Sequence, residues 1–137
     1  MGNADVIDYK IIGDDMQAVI ITLDQGEAVR AEAGAMLFMS DGIEMETSTG
    51  GGVMAGLKRA IAGESFFITT FKSATPKSEV AFAAPYPGKI IPLDLRALGG
   101  TMLCQRDSYL CSAKGIEVSV AFTKRLGAGF FGGEGFI

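Results

Sequence analysis

Histidine and tryptophan are absent from this sequence of 137 residues, and cysteine occurs only twice. Without histidine, no imidazole can act as a general base or bind a metal ion, and Ser/His and Cys/His nucleophile pairs are excluded. Two cysteines are too few for a disulfide framework, and they do not form a CxxC or another metal-binding spacing. We therefore expect a protein that is not an enzyme and that has neither a metal site nor a cofactor.

Positive charge is also scarce in this sequence. The chain has 12 Lys and Arg against 16 Asp and Glu, which gives a net charge of -4. Proteins that bind nucleic acids neutralise phosphates with basic residues, so DNA is not an expected partner and RNA is a weak candidate. The longest run without a charged residue, Thr47 to Leu57, falls short of the roughly 18 apolar residues of a membrane helix. Because the acidic start, Met1 to Asp5, is also unlike a secretory signal, we expect a cytoplasmic protein without a transmembrane segment.

Apolar and polar residues alternate with a period of two in many short runs, which is typical of strands with one buried face. The runs lie at 18–23, 27–33, 35–39, 43–47, 66–71, 79–84, 89–95, 101–105, 108–113 and 116–122. In the fourth of these runs, Ile43 and Met45 share one face, and Glu44 and Glu46 share the other, which we expect to be solvated. The runs predict an all-β fold, a β-sandwich or β-roll of repeated antiparallel units. Only residues 53–62 have apolar residues at helical spacing, and they predict one short helix.

The sequence contains an internal repeat. Three motifs return in the same order: Ile20–Asp24 as Ile90–Asp94, Gly42–Glu44 as Gly115–Glu117, and Gly63–Phe66 as Gly133–Phe136. The offsets are 70, 73 and 70 residues, so one short insertion followed by a matching shortening accounts for the drift. We predict one β domain over 1–137, with a first repeat at about 8–84 and an incomplete second repeat at about 88–137. Because the second repeat lacks its last strands, we expect the native chain to continue beyond Ile137.

A glycine-rich segment at 50–64 is the candidate binding site in this sequence. Lys58, Arg59 and Glu64 flank it, and Arg59 would be the best donor of a bidentate contact to an anionic ligand. The segment does not match a phosphate-binding P-loop, because the residue after Gly56 is not lysine. A surface ion pair among the three charged residues is the alternative interpretation.

The two thiols, Cys104 and Cys111, are candidates for a redox pair. We predict a hairpin with its tip at 106–107, which would pair Cys104 with Tyr109. The two thiols would then be out of register for a disulfide, and a cytosolic setting would keep them reduced. We therefore expect inert, buried thiols.

Several motifs, taken in order, resemble a known family. They are Gln17 to Leu23, Gly26-Glu27, Ala33 to Met36, Leu57 to Arg59, Ala62 to Phe66, Pro87 to Ile90 and Phe131 to Gly135. This set covers nearly the whole chain and is similar to the family named for altered inheritance of mitochondria, number twenty-four. The resemblance implies a β-sandwich or β-roll that is related to the tryptophan RNA-binding attenuation protein fold and is built from repeated units. Family chains usually run on beyond the point where this one ends, which agrees with a fragment.

Function follows less directly from the resemblance. Fungal members are associated with the inner mitochondrial membrane, whereas prokaryotic members are soluble, and the acidic start of this chain favours a prokaryotic cytosolic protein. The first hypothesis is a non-enzymatic scaffold that self-associates through β-edges. The second is a domain that binds a small anionic ligand at loop 50–64. The third is RNA binding, for which fold analogy is the only support.

Overall fold

Eight β-strands and two short 3₁₀ turns are present in the structure, a computed structural model that describes residues 6–48, 67–119 and 137. The strands are β1 (Asp8–Ile12), β2 (Ala18–Asp24), β3 (Ala28–Ala31), β4 (Met36–Met39), β5 (Ile43–Ser48), β6 (Ile68–Ser73), β7 (Lys77–Ala83) and β8 (Cys111–Ala113). The 3₁₀ turns are Ala33–Ala35 and Arg106–Ser108. Every pair of these strands is antiparallel, so the predicted all-β class is confirmed.

The strands form two sheets that face each other. Sheet 1 has the order β1-β2-β7-β4, and sheet 2 has the order β5-β6-β3-β8. Phe71 of β6 contacts Phe82 of β7 with ring centroids 5.1 Å apart and an angle of 76° between the ring planes. This edge-to-face geometry suits the ring quadrupoles, and it joins the two sheets at their centre. The predicted β-sandwich is therefore confirmed.

The core consists of the inward face of each sheet. In β2, residues Val19, Ile21 and Leu23 are buried, and the residues between them are half-buried. The cluster from both sheets contains Val19, Ile21, Leu23, Val29, Ala31, Ile43, Phe71, Val80 and Phe82. Because side chains on a strand alternate between its two faces, the burial of β2 agrees with the period-two pattern of the run at 18–23.

Three buried polar side chains lie among these strands, and each has a hydrogen-bond partner. The Thr69 and Thr47 hydroxyl oxygens are 2.9 Å apart. Ser73 Oγ donates to the carbonyl oxygen of Thr75 at 2.8 Å, and Ser78 Oγ lies 2.6 Å from Thr75 Oγ1. Since a buried hydroxyl without a partner is costly, these contacts allow polar residues within the inward face of a strand.

The chain divides into two compact units. The first contains Met1–Ser48, Phe67–Ile90 and Leu110–Glu117, and it includes both sheets. The second contains Thr49–Phe66, Ile91–Tyr109 and Val118–Ile137. In the described part of the second unit, Gly99 and Gly100 have φ values of 88° and 94°. Cys104 and Ile137 exchange two backbone hydrogen bonds of 2.8 Å each.

The predicted strands at 89–95 and 101–105 are wrong, because neither segment contains a named strand. Pro92 cannot donate a ladder hydrogen bond, and Asp94 Oδ1 accepts from the backbone N–H of Arg96 at 3.0 Å. The chain therefore turns at a position where the alternation predicts a continuous strand. The sequence prediction also missed β1, whose residues Asp8–Ile12 are extended because they pair with β2.

The predicted hairpin around 106–107 is also wrong. Residues Arg106–Ser108 form a 3₁₀ turn, and Cys104 pairs with Ile137 and not with Tyr109. Cys111 instead lies on β8 opposite Ala31. The local alternation around 106–107 is compatible with a hairpin, but pairing with distant strands determines the register.

Two sequence predictions fall on residues outside the described ranges. The short helix predicted at 53–62 lies entirely among such residues, and the second repeat at 88–137 lies there in part. Within the described part, Ile20–Asp24 belong to β2, whereas Ile90–Asp94 lie outside the named strands. The internal repeat and the continuation of the chain stay predictions.

The contact between Phe71 and Phe82 predicts a large effect of truncation in the core. Phe71→Ala should lower the free energy of unfolding by about 3–5 kcal/mol, because it removes buried apolar contacts and leaves a cavity between the sheets. Phe67→Ala is the matched control, since the Phe67 side chain is 53% exposed. Urea denaturation measures both values, and similar losses in the two variants would contradict this description of the core.

The close packing around Gly42 predicts that an added side chain at this position would destabilise the protein. An added Cβ would lie 2.6 Å from Thr75 Oγ1 and 2.7 Å from Ser78 Oγ, and Ser78 is buried and hydrogen-bonded. Gly42→Ala should therefore destabilise the protein by about 1–3 kcal/mol through overpacking. Gly34→Ala should change the free energy of unfolding by less than about 0.5 kcal/mol, because no neighbouring heavy atom lies within 4 Å of its added Cβ. Thermal or urea unfolding that shows equal effects would contradict the close approach at Gly42.

Burial predicts low reactivity of one thiol. Cys111 packs against the core, and desolvation raises its pKa from 9.0 to about 12. At about pH 8 the folded protein should hold roughly a thousandfold less Cys111 thiolate than the unfolded chain, so iodoacetamide labelling in a Cys104→Ser background should be slow. The neutral thiol is the favoured form in the fold, so its contribution to stability is full below pH 9 and is lost as the pH rises toward about 12. Equal labelling rates with and without urea would contradict this prediction.

Candidate functional site

The sequence-predicted site residues Lys58, Arg59 and Glu64 lie at 49–66, outside the described residues. Binding of an anionic ligand at loop 50–64 therefore stays a prediction. Two other surfaces of the first unit have a composition and geometry suited to binding. One is apolar and lies on sheet 1, and the other is charged and lies on sheet 2.

The apolar surface lies on β4. Leu37, Phe38 and Met39 are 56%, 48% and 37% exposed, and we call these three residues the β4 apolar surface. Among the residues that the structure describes, β4 is the outermost strand of its sheet and pairs only with β7. An apolar edge strand is a template for pairing with another chain, because its outer N–H and C=O groups lack a strand partner.

The pairing of β4 divides this run between the two faces of sheet 1. Phe38 lies opposite Ala81, whereas Met36 and Met39 lie opposite the core residues Phe82 and Val80. Phe38 and Met39 therefore point to opposite faces of the sheet. The register shifts between Met36 and Phe38, which is typical of a β-bulge. As a result, Leu37 is an extra residue in the ladder.

The charged surface lies on the outward face of sheet 2 and forms an open depression of about 490 Å³. The depression, which we call the sheet-2 depression, is lined by Arg30, Glu44, Met45, Glu46, Thr70, Lys72 and Lys114. Strand register places Glu46, Thr70 and Arg30 in one row and Glu44 and Lys72 in the next. The predicted exposure of Glu44 and Glu46 is confirmed, whereas Met45, predicted to share the face of buried Ile43, is 43% exposed. Carboxylates therefore line the β5 side of the depression, and cations line its other side.

Neither surface is predicted from the sequence alone. For the β4 apolar surface, a usable signal is present, because Met36–Met39 is a strand of four consecutive apolar residues without polar alternation. For the sheet-2 depression there is no local signal, because Arg30, Lys72 and Lys114 lie far apart in the chain and meet only through strand pairing.

Two other features, a metal site and a membrane-spanning helix, are not found among the described residues. Within 6–48, 67–119 and 137, no group of three or more Cys, Asp or Glu residues is placed to hold a metal ion. In the same part of the chain, no helix is long and apolar enough to cross a membrane.

The fold is similar to that of a protein with a solved structure. The crystal structure of protein SPYM3_0169 from Streptococcus pyogenes superposes with a TM-score of 0.69 and 22% sequence identity. The match covers 96% of this chain and 58% of that chain, so this chain spans little more than half the length of the Streptococcus pyogenes protein. At this level of identity, the similarity supports the fold alone.

The sequence comparisons give a family but no characterised relative. No curated protein matches the sequence at a significant level. The family described as mitochondrial biogenesis AIM24 matches residues 9–137, which is nearly the whole chain. The resemblance found in the ordered motifs is thus confirmed, and the chain belongs to the AIM24 family.

Proposed function

We propose that this protein is a non-enzymatic interaction module that self-associates through the β4 apolar surface. The observation that supports the proposal is the exposure of Leu37, Phe38 and Met39 in succession on an edge strand. Scattered exposed apolar residues are common in proteins, but a contiguous group on a strand edge is typical of an interaction site.

Burial of this surface supplies part of the association energy. Complete burial of a Leu, Phe or Met side chain stabilises by about 1.5–3 kcal/mol, so three half-exposed side chains contribute about 3 kcal/mol from each copy. Association of two molecules costs about 4–15 kcal/mol in lost translational and rotational freedom. Apolar burial alone is therefore marginal, and backbone hydrogen bonds between paired edges must add to it.

A second copy of the chain is a suitable partner for this edge. An antiparallel pair of identical strands is related by a twofold axis. Each copy therefore uses the same surface in the contact, and that surface must be complementary to itself. All strand pairs within sheet 1 are antiparallel, and β4 paired with β4 of another copy would continue this pattern. Addition of a strand at a sheet edge is a common mode of protein recognition.

The proposal includes a cytoplasmic location. Both Cys104 and Cys111 are free thiols, and free thiols agree with a reducing compartment. Binding of an anionic ligand by Lys58, Arg59 and Glu64 and binding of RNA stay predictions, and the net charge of -4 disfavours RNA.

Size-exclusion chromatography with light scattering tests the proposed self-association. The unchanged protein should form an oligomer of fixed size, and Phe38→Glu or Met39→Glu should raise its dissociation constant at least about tenfold, because each places a charge in an apolar contact. Met16→Glu is the matched control, since Met16 is 64% exposed and lies outside β4, and it should leave the oligomer intact.

The outcomes separate the two parts of the proposal. A monomeric unchanged protein would overturn self-association. An oligomer that persists in both β4 variants, with folding verified by circular dichroism, would show that a different surface forms the contact.

A further inference from the structure

Two of the lysines that line the sheet-2 depression lie on either side of Ala28. Ala28 lies opposite Lys72 on β6, and on its other side the carbonyl oxygen of Ala28 accepts from the backbone N–H of Lys114 at 3.0 Å. Residues opposite each other on paired strands have Cβ atoms about 5 Å apart, so the Cβ atoms of the two lysines are about 10 Å apart across Ala28. Their long side chains can therefore reach a common ligand above the alanine.

Ala28 faces outward from the sheet, although it is fully buried. Its neighbours Val29 and Ala31 belong to the core cluster, whereas Ala28 does not, and Arg30 shares its face two residues along the strand. Because Ala28 is itself fully buried, contacts to a ligand would come from the charged side chains on this face.

The third cation extends this set of donors. Arg30 is half-buried and lies in the row between Thr70 of β6 and Ser112 of β8. A guanidinium group can donate two parallel hydrogen bonds to a phosphate or carboxylate. Three of the 12 basic residues of an acidic chain therefore lie around one depression.

We propose that the sheet-2 depression binds a compact small molecule that carries a phosphate or carboxylate group, held by Lys72, Lys114 and Arg30. The volume of about 490 Å³ lies within the range of small-molecule sites. The residues that line this site are not part of segment 50–64, and the site does not depend on self-association through β4.

The acidic side of the depression limits the size of the ligand. Glu44 and Glu46 lie on β5, two strands from Arg30, which is about 10 Å across the sheet. Glu44 also lies opposite Lys72, but in the described part of the chain the two form no ion pair. A compact anion held toward Lys114 and Arg30 lies farther from the two carboxylates, whereas a nucleic-acid strand or an anionic membrane would extend over them and be repelled.

Calorimetric titration with pyrophosphate and with citrate tests the site, with sodium chloride at equal ionic strength as the reference. Both compounds should bind the unchanged protein, and Lys72→Ala/Lys114→Ala should weaken binding at least about tenfold, because two charged donors are lost. Lys10→Ala/Lys77→Ala is the matched control, since it removes the same charge from exposed positions on sheet 1, and it should leave the affinity unchanged.

Further arms test the size limit. Glu44→Gln/Glu46→Gln should strengthen pyrophosphate binding several-fold, because it removes repulsion at a distance near the Debye length of about 8 Å. Short single-stranded RNA and phosphatidylglycerol vesicles should bind the unchanged protein more weakly than pyrophosphate does. Amide chemical shifts at residues 28, 30, 72 and 112–114 should change on titration and locate the ligand.

Several results would overturn the inference. One is that neither pyrophosphate nor citrate binds beyond the effect of sodium chloride. Another is that the Lys10→Ala/Lys77→Ala control loses as much affinity as Lys72→Ala/Lys114→Ala. Tighter binding of RNA or vesicles than of pyrophosphate would overturn the assignment to a compact ligand. Unchanged affinity in Lys72→Ala/Lys114→Ala, with its fold verified by the amide spectrum, would show that the ligand lies elsewhere.

Discussion

The contact between Phe71 and Phe82 is the interaction on which the rest of the first unit depends. The two rings come from central strands of different sheets, and both side chains are fully buried. Their packing sets which face of β6 and of β7 is inward, because a strand cannot turn one side chain inward without turning the adjacent side chains outward. The outward positions of Lys72 and Ala81 follow directly from it. Both candidate surfaces are thus consequences of how the core is closed.

The sequence predicts well the parts of the fold that local pattern controls. Alternation in Ala18–Asp24 and Lys77–Ala83 reflects burial of one face against the core, and both strands form where the pattern places them. The local pattern does not predict the structure where pairing with distant residues determines it. Asp8–Ile12 are extended only because β2 lies beside them, and Cys104 pairs with Ile137 and not with a near neighbour. Residues 89–95 alternate without forming a strand, because Pro92 and the turn at Asp94 interrupt the ladder.

The candidate sites were less predictable than the fold, for a related reason. The sequence search favoured Lys58, Arg59 and Glu64 because they are neighbours in the chain. Arg30, Lys72 and Lys114 come together through three different strands, so only the register reveals that they share a face. The run Met36–Met39 was recognised as a strand, but its place at the outside of sheet 1 depends on the strand order. Composition shows that the chain has a net negative charge, but it cannot show that three of its basic residues lie close together.

The register shift at Leu37 has a consequence for the size of any assembly that β4 supports. A ladder of hydrogen bonds can add strands indefinitely only when the edge is regular, since each new strand must present the same template to the next. The extra residue interrupts that template, and a strand of four residues leaves few hydrogen-bonded residue pairs on either side of it. Growth by successive addition is therefore hindered, whereas a closed pair needs only one short match. In the proposed self-association, this irregularity would favour a closed pair over a growing fibre.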